Sequence, residues 1–480
     1  MMKRTVLSVL LTGGLAFTCL AGQDLELKAG FSRTDITPPL GVDVPGYFPK
    51  RTAKSVLDPL QVNCTAFADG RSTALVFQID DLHASDQMIG RFTEAITGAT
   101  GIPRELIYIH SSHTHVGGNL FDMSLGSVNA TFRDLVTRRI ADAAVQAVRD
   151  LKPARLSFAR SAAKRISFGR RYRMKDGKVR TNPGVGNPDI VGPAGNPPDD
   201  EVQVLRIDRE GAVPICIINF QTHPDVIGGE TISADWPGLT RAVFEAATFG
   251  DARCMVLNGT QGDVNHVNVM PLPGEGNGLH RDFDDVDRGY DHAKHMANVL
   301  AGAALSVWMK CVPLASGAIR SGTADVRVPA QCAKDAKELA WAREVYAKHE
   351  AGKDAELPWK GMELTTELAR ARRILRLEHG PDHFDLPLVS IAIGDELVFA
   401  GFPGEPFNEI GKAVKRKSPF KLTLVSCLTN ASRGYFPFSD AYEGGGYESA
   451  TSSFGPSVAD DLIAGELGLL DSLRKNGSGR

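Results

Sequence analysis

Three apolar runs in this chain end alike, in polar loops bearing histidine or a glycine-flanked acid, and few folds bring such ends together. The first is Leu106-Ile-Tyr-Ile-His110-Ser-Ser-His113-Thr-His115-Val-Gly-Gly118. The second runs from Val213 to Gln221 and delivers Thr222-His223-Pro224. The third, Cys254 to Asn258, runs into Gly259-Thr-Gln-Gly-Asp263-Val-Asn-His266. Residues two apart in extended chain point to the same side, so His113 and His115 are expected to face one cavity. Gly117 and Gly118 let backbone approach closely. Neutral imidazole is a common zinc ligand. His223, fixed by the proline after it, repeats the construction at His113, and the pair predicts convergence on one centre.

The rest of the chain alternates strand-like and helical patterns. Thr73 to Asp80 is a β-branched apolar run ending in Asp80-Asp81-Leu-His83, where acids capping the next helix are the favoured reading over metal ligands. Asn129 to Leu151 carries Phe132, Val136, Ile140, Ala143 and Ala147 on one stripe and predicts an amphipathic helix. Strands are expected before Arg165 and over Val202 to Ile207, flanking a loop from Lys175 to Asp200 rich in Gly, Pro and Asn. Phe168-Gly-Arg170-Arg171-Tyr172 opens that loop, and its arginines read as solvated surface or as a carboxylate or amide-oxygen clamp. Tyr290 to Lys310 and a covering pair over Ala333 to His379 read as helices. Leu386 to Gly401 reads as a hairpin running into Pro403-Gly-Glu405-Pro-Phe407, where Glu405 is either an oxygen ligand or a helix-start acid. Leu422 to Cys427 reads as a last strand. No internal repeat is visible. The pattern predicts an α/β (mixed α+β) fold, a layered sandwich of mixed sheets covered by helices, with its site at strand ends.

Composition narrows the function. In 480 residues of formal net charge -3, Lys and Arg are scattered among Asp and Glu, which leaves no electrostatic footprint for nucleic acid. Met1-Met-Lys-Arg4, the apolar run from Thr5 to Cys19 and the small residues to Gly22 predict a secretory signal over residues 1–22, hence a periplasmic or extracellular protein. A membrane anchor fits less well, because the run is short and broken by Gly13 and Gly14. Six cysteines follow it with no C-x-x-C spacing, so buried thiols and disulfides both stay open.

Taken in order, these motifs resemble the catalytic domain of the neutral, non-lysosomal ceramidase family. Asp35-Ile-Thr37 with Gly46-Tyr47 resembles the family's opening, and His113-Thr-His115-x-Gly its T-H-T-H-S-G run. Phe220-x-x-His223-Pro224 is similar to its second histidine motif, Asn258-x-x-x-Gly262-Asp263-Val264 to its N-x-G-D-V loop, and Pro403-Gly-Glu405 to its P-G-E. Asn430 to Tyr435 and Tyr447-Glu448 to Gly455-Pro456 resemble its terminal tyrosine motifs. No single motif is specific; their order over nearly the whole chain is.

The resemblance implies one catalytic domain over residues 23–480, without the family's C-terminal immunoglobulin-like domain, and a secreted zinc-dependent amidohydrolase. It implies zinc held by His113, His223, Glu405 and Tyr435, with His115, Tyr447 and Arg170 facing the scissile amide. Zinc with one position open lowers the pKa of its water to ~7, supplying hydroxide to attack the amide carbon. His115 would shuttle protons, and Tyr447 with Arg170 would stabilise the oxyanion. The substrate would be ceramide or a related N-acyl lipid, met at a membrane surface, and the products a fatty acid and an amine such as sphingosine. Asn265 stands where the family has a serine, which disfavours a serine acyl-enzyme route. Two other readings stay open. Asp81-Leu-His83 and Gly262-Asp263 mimic a metallophosphoesterase, and a non-catalytic lipid- or glycan-binding protein could carry a structural zinc.

Overall fold

The computed structural model describes residues 26–47, 49–121, 126–272 and 289–478, so the expected signal over residues 1–22 lies outside the described residues. One run of elements, three strands, a helix, a strand and a helix, occurs three times. The first unit holds strands Lys28–Asp35, Gln61–Ala68 and Thr73–Ile79, helix α1 (Asp86–Thr100), strand Ile107–Ser111 and helix α2 (Ser127–Arg149). The second holds strands Lys152–Ala162, Glu201–Arg209 and Ala212–Phe220, α3 (Asp235–Ala247), strand Arg253–Asn258 and α4 (Tyr290–Trp308). The third starts with strand Ile319–Pro329 and inserts α5 (Ala336–Glu350) and α6 (Gly361–Leu377). It continues with strands His383–Ile393 and Leu397–Gly401, α7 (Asn408–Lys417), strand Leu422–Ser426 and the helix Val458–Ser478.

Within each unit the first three strands pair antiparallel in sequence order. The fourth pairs parallel with the third, the helix between them making the crossover that parallel pairing requires. The sequence gives no sign of this repeat, because what recurs is topology and not residue identity.

Units one and two join edge to edge where Lys28 and Ala29 pair antiparallel with Pro153 and Lys152, giving a nine-stranded sheet. The four-stranded sheet of unit three lies against its face. Side chains alternate accordingly: Ile107 and Ile109 pack with Phe92, Ile140 and Leu300 under the helices, while Tyr108 points the other way toward Phe399. On the smaller sheet Phe399 faces inward, and Val398 and Ala400 pack with Val414, Leu462 and Leu470. The order of layers is helix, sheet, sheet, helix, the layered mixed α+β sandwich expected from the sequence. Strands covered on both faces read as continuous apolar runs.

Several local readings change. Ser85, not Asp80 or Asp81, caps α1, its Oγ accepting from the Met88 N–H at 3.2 Å. Asp80 instead accepts from the Arg241 guanidinium of α3 at 3.0 Å, both buried, and so ties unit one to unit two. The loop from Lys175 to Asp200 carries strands Val179–Thr181 and Ile190–Pro193, each paired with Arg171–Met174. The six described cysteines are free thiols, four of them buried. Among the described residues no helix is long and apolar enough to cross a membrane.

Candidate metal centre

The last strands of the three units end together. The His110 ring bridges two of them: its Nε2 accepts from the Asn258 N–H at 3.0 Å, and its Nδ1 lies 2.7 Å from the Cys427 carbonyl. Asn430 locks the third contact, its N–H donating to the Ile109 carbonyl at 2.9 Å and its Oδ1 accepting from the Ile109 N–H at 2.7 Å. Burial pulls the His110 imidazole down to about 4, so the ring is neutral and can accept at one nitrogen while donating at the other.

Loops leaving this hub, and the third strands of units two and three beside it, deliver the site. His113 takes a left-handed backbone, φ +76°, so the expectation of an extended segment there is wrong. Its N–H donates to the Asp81 carbonyl at 2.9 Å, and this turn followed by a second one brings His113 and His115 to one side. His113 Nε2 lies 3.2 Å from His223 Nε2 and 3.3 Å from His115 Nε2. Glu405, which strand Glu405–Pro406 holds just before α7, faces the same point, its Oε2 at 3.2 Å from His113 Nε2 and 3.4 Å from His223 Nε2. The helix-start reading of Glu405 is thereby displaced. Tyr435 is the parallel bridge partner of Glu405, and its ring stacks on His223 at 6.4 Å between centroids. Gly262 is required by contact: a Cβ there would lie 2.5 Å from the Glu405 carbonyl oxygen.

These separations test the fit of an ion. Ligand atoms about 2.0–2.2 Å from one tetrahedral centre stand roughly 3.3 Å apart, the spacing found here. The outer nitrogens are also held: His113 Nδ1 lies 2.9 Å from the Leu82 carbonyl and His223 Nδ1 3.1 Å from the Gln261 carbonyl. Those acceptors keep a proton on Nδ1 and turn the Nε2 lone pair inward, as metal-ligating imidazoles require. Burial drives His115 and His223 well below the ordinary imidazole value. Burial also pulls on His113, but the Glu405 carboxylate beside it more than reverses this, and Glu405 is lowered in return. Imidazole nitrogens and a carboxylate oxygen are a zinc donor set. Among the described residues the group of three such side chains whose ligand atoms all lie within 4.8 Å of one another is His113, His115 and His223; Glu405 meets His113 and His223 but falls outside that group, as do Asp81 and His83.

A cleft of about 380 Å³ opens beside the centre. His115, Arg170, Tyr435 and Tyr447 line it, with the Tyr447 ring edge-on to Tyr435 at 5.8 Å. The solvated reading of both arginines fails, since Arg170 is 4% and Arg171 3% exposed. Arg170 donates from Nε to Glu448 at 2.7 Å and from Nη2 to the Gly262 carbonyl at 2.7 Å, and its guanidinium lies 5.4 Å from the Tyr435 ring centre. Arg171 packs over Phe407 instead. Asn265 is buried, donating to Asn182 and accepting from the Val267 N–H. Sequence reasoning missed Arg51, Thr181 and Asp225 in the cleft wall. Asp225, two residues after His223 and bonded to His266 at 3.1 Å, could have been found from the loop after the second run; Arg51 gave no signal.

No family model matches the chain, and no curated protein does. The fold does match solved structures. One is a crystal structure of neutral ceramidase from Pseudomonas aeruginosa, at TM-score 0.69 and 15% identity, covering 94% of this chain and 75% of that one. Another is a ceramidase complexed with C2, at TM-score 0.69 and 15% identity over 94% of this chain and 76% of that one. The chain has the fold of the neutral ceramidases.

Proposed function

We propose that this protein is a zinc-dependent amidohydrolase that cleaves the N-acyl bond of ceramide or a related N-acyl lipid. The observation that carries the reading is the meeting of His113, His223 and Glu405 at 3.2–3.4 Å from exits of three separate units, with Tyr435 alongside. The ceramidase names of the structural neighbours support the substrate class. His113, His223, Glu405 and Tyr435 would hold the ion, and zinc there would supply a water of lowered pKa and polarise a carbonyl.

This chain's own residues then handle the protons and the developing charge. His115, neutral through burial and lining the cleft, takes a proton on Nε2 from the attacking water and returns it to the amine nitrogen as the C–N bond breaks. Arg170, oriented by Glu448 and the Gly262 carbonyl, and the Tyr447 hydroxyl stabilise the negative carbonyl oxygen, where loss of one donor costs about 3 kcal/mol in the barrier. Asn265 has both ends of its amide engaged and takes no part. Export, on the sequence of residues 1–22, and contact with a membrane surface through the substrate belong to the same reading.

Metal analysis joined to an N-acyl amide hydrolysis screen tests it, repeated on His113→Ala and Asn265→Ala. The expected result is loss of metal and turnover in the first and retention of metal in the second. Two metals per chain with phosphodiester turnover, or a zinc whose removal lowers Tm with no amide ever cleaved, would replace it with a phosphoesterase or a binding protein.

A further inference from the structure

Outside the cleft, α6 presents Arg372, Arg373 and Arg376 to a groove of about 420 Å³ that the metal centre does not use. Gly46, Tyr47 and Tyr447 line both groove and cleft, so the two spaces adjoin. No carboxylate lines the groove. Arg373 is 5% exposed, donates from Nη1 to the Gln331 carbonyl at 3.0 Å, and has no partner for its Nε. Arg376 donates to the Ser453 hydroxyl. Arg370 on the same helix, by contrast, is paired with Glu338 at 2.6 Å and Glu367 at 3.5 Å.

A surface helix often carries solvated arginines, and that is the ordinary explanation for such a row. Arg373 does not fit it. Burial lowers this guanidinium to about 10, Glu338 pulling it back up and Arg370 and Arg376 adding to the fall. Arg373 has the Gln331 carbonyl as its hydrogen-bond acceptor, and its nearby counter-charge, Glu338, is bonded to Arg370; a charge so placed out of water is costly unless a further opposite charge joins it. Arg51, 9% exposed, lines the neighbouring cleft and not the groove: it donates to the Gly229 and His115 carbonyls at 2.8 Å each and to the Pro45 carbonyl, its guanidinium lies 4.3 Å from the Tyr47 ring centre, and its Nε is without a partner. Guanidinium groups facing one space bind carboxylate, phosphate or sulfate by paired hydrogen bonds.

We propose that this groove is an anion subsite, and that the substrate is an N-acyl amide whose amine half carries a carboxylate, phosphate or sulfate. The assignment rests on the amidohydrolase reading above. The anion belongs to the amine half because three guanidiniums exclude an alkyl chain from the groove.

The test uses a pair of probes in which a sulfonamide replaces the scissile amide, N-octylsulfonylglycine and its uncharged methylamide, titrated by calorimetry into the zinc-loaded protein. The acid is expected to bind about tenfold more tightly than the methylamide, the effect of one charged hydrogen-bonding contact. In the double variant Arg372→Gln/Arg376→Gln, two exposed positions whose change is checked by an unaltered Tm, the preference falls to within about twofold. Equal affinities in the wild type, or a preference that survives the double variant, overturn the proposal. So does co-sedimentation with phosphatidylglycerol vesicles that the double variant loses while the probes bind alike, which assigns the arginines to a lipid surface. Failure of the underlying reading looks different: the acid preference holds, yet the zinc-loaded protein hydrolyses neither N-octanoylglycine nor ceramide.

Discussion

The strand exits and the segments inserted between the first and second strands of each unit divide the site between them. Exits supply His113, His223, Glu405 and Tyr435, all anchored to hydrogen-bonded strand ends. The inserts, residues 36–60, 163–200 and 330–382, supply Tyr47 and Arg51, Arg170 and Thr181, and Met362 with the arginines of α6. A repeated frame therefore fixes the candidate ligands, and three unlike segments shape the cleft and groove beside them. Such a division lets the wall change while the chemistry stays put, the usual relation of loops to a rigid scaffold.

The units also differ from one another at matching places. After the third strand, unit two delivers His223 and unit three Glu405, whereas unit one delivers Asp80. Asp80 has been turned to holding units together through Arg241. If that contrast is right, His113→Ala and His223→Ala cost the most, removing activity by on the order of 10³-fold or more with loss of metal and a small change in Tm. Activity and zinc content measured on the same samples check this. Arg241→Ala shows the opposite split: metal ligands intact, stability down by about 3–5 kcal/mol in urea unfolding, because Asp80 is left as a buried, unpaired charge. Pairing it with Asp80→Asn should recover most of the loss. His110→Ala is expected to cost about 3 kcal/mol, since the Asn258 N–H and the Cys427 carbonyl each lose a buried partner.

A smaller effect separates frame from site by pH. Glu466, on the last helix, is buried against the Ser390 hydroxyl at 2.6 Å, and burial raises it to about 8. Its folded value stands above the ~4.3 of an unfolded chain, so its contribution is complete below that value and is lost as pH rises toward about 8. Glu466→Gln should flatten the fall in Tm over that range and leave zinc content alone. A wild-type Tm that rises between pH 5 and 8 relative to the variant contradicts this.

Much of the frame was legible in the sequence because its strands are buried on both faces and its helices carry apolar stripes, as at Thr73–Ile79 and Ser127–Arg149. The histidine exits were legible too, since residue type and strand end coincide at His113 and His223. The threefold repeat was not, for topology leaves no trace when side chains diverge. Nor were Asp80 with Arg241, His110 between two strands, or the burial of Arg170 and Arg171, because each is settled by partners between 92 and 317 residues away. The left-handed turn at His113 escaped for a local reason: few non-glycine residues adopt it, and bonds to the Asp81 and Leu82 carbonyls, distant in sequence, help to hold it there.

The central claim is that exits from three units share one ion. Crystals grown with zinc and measured on both sides of its absorption edge test it directly. A single anomalous peak about 2.0–2.2 Å from His113 Nε2, His223 Nε2 and Glu405 is the predicted result. A peak bound elsewhere, or none at a protein-to-zinc ratio that supports turnover, contradicts it.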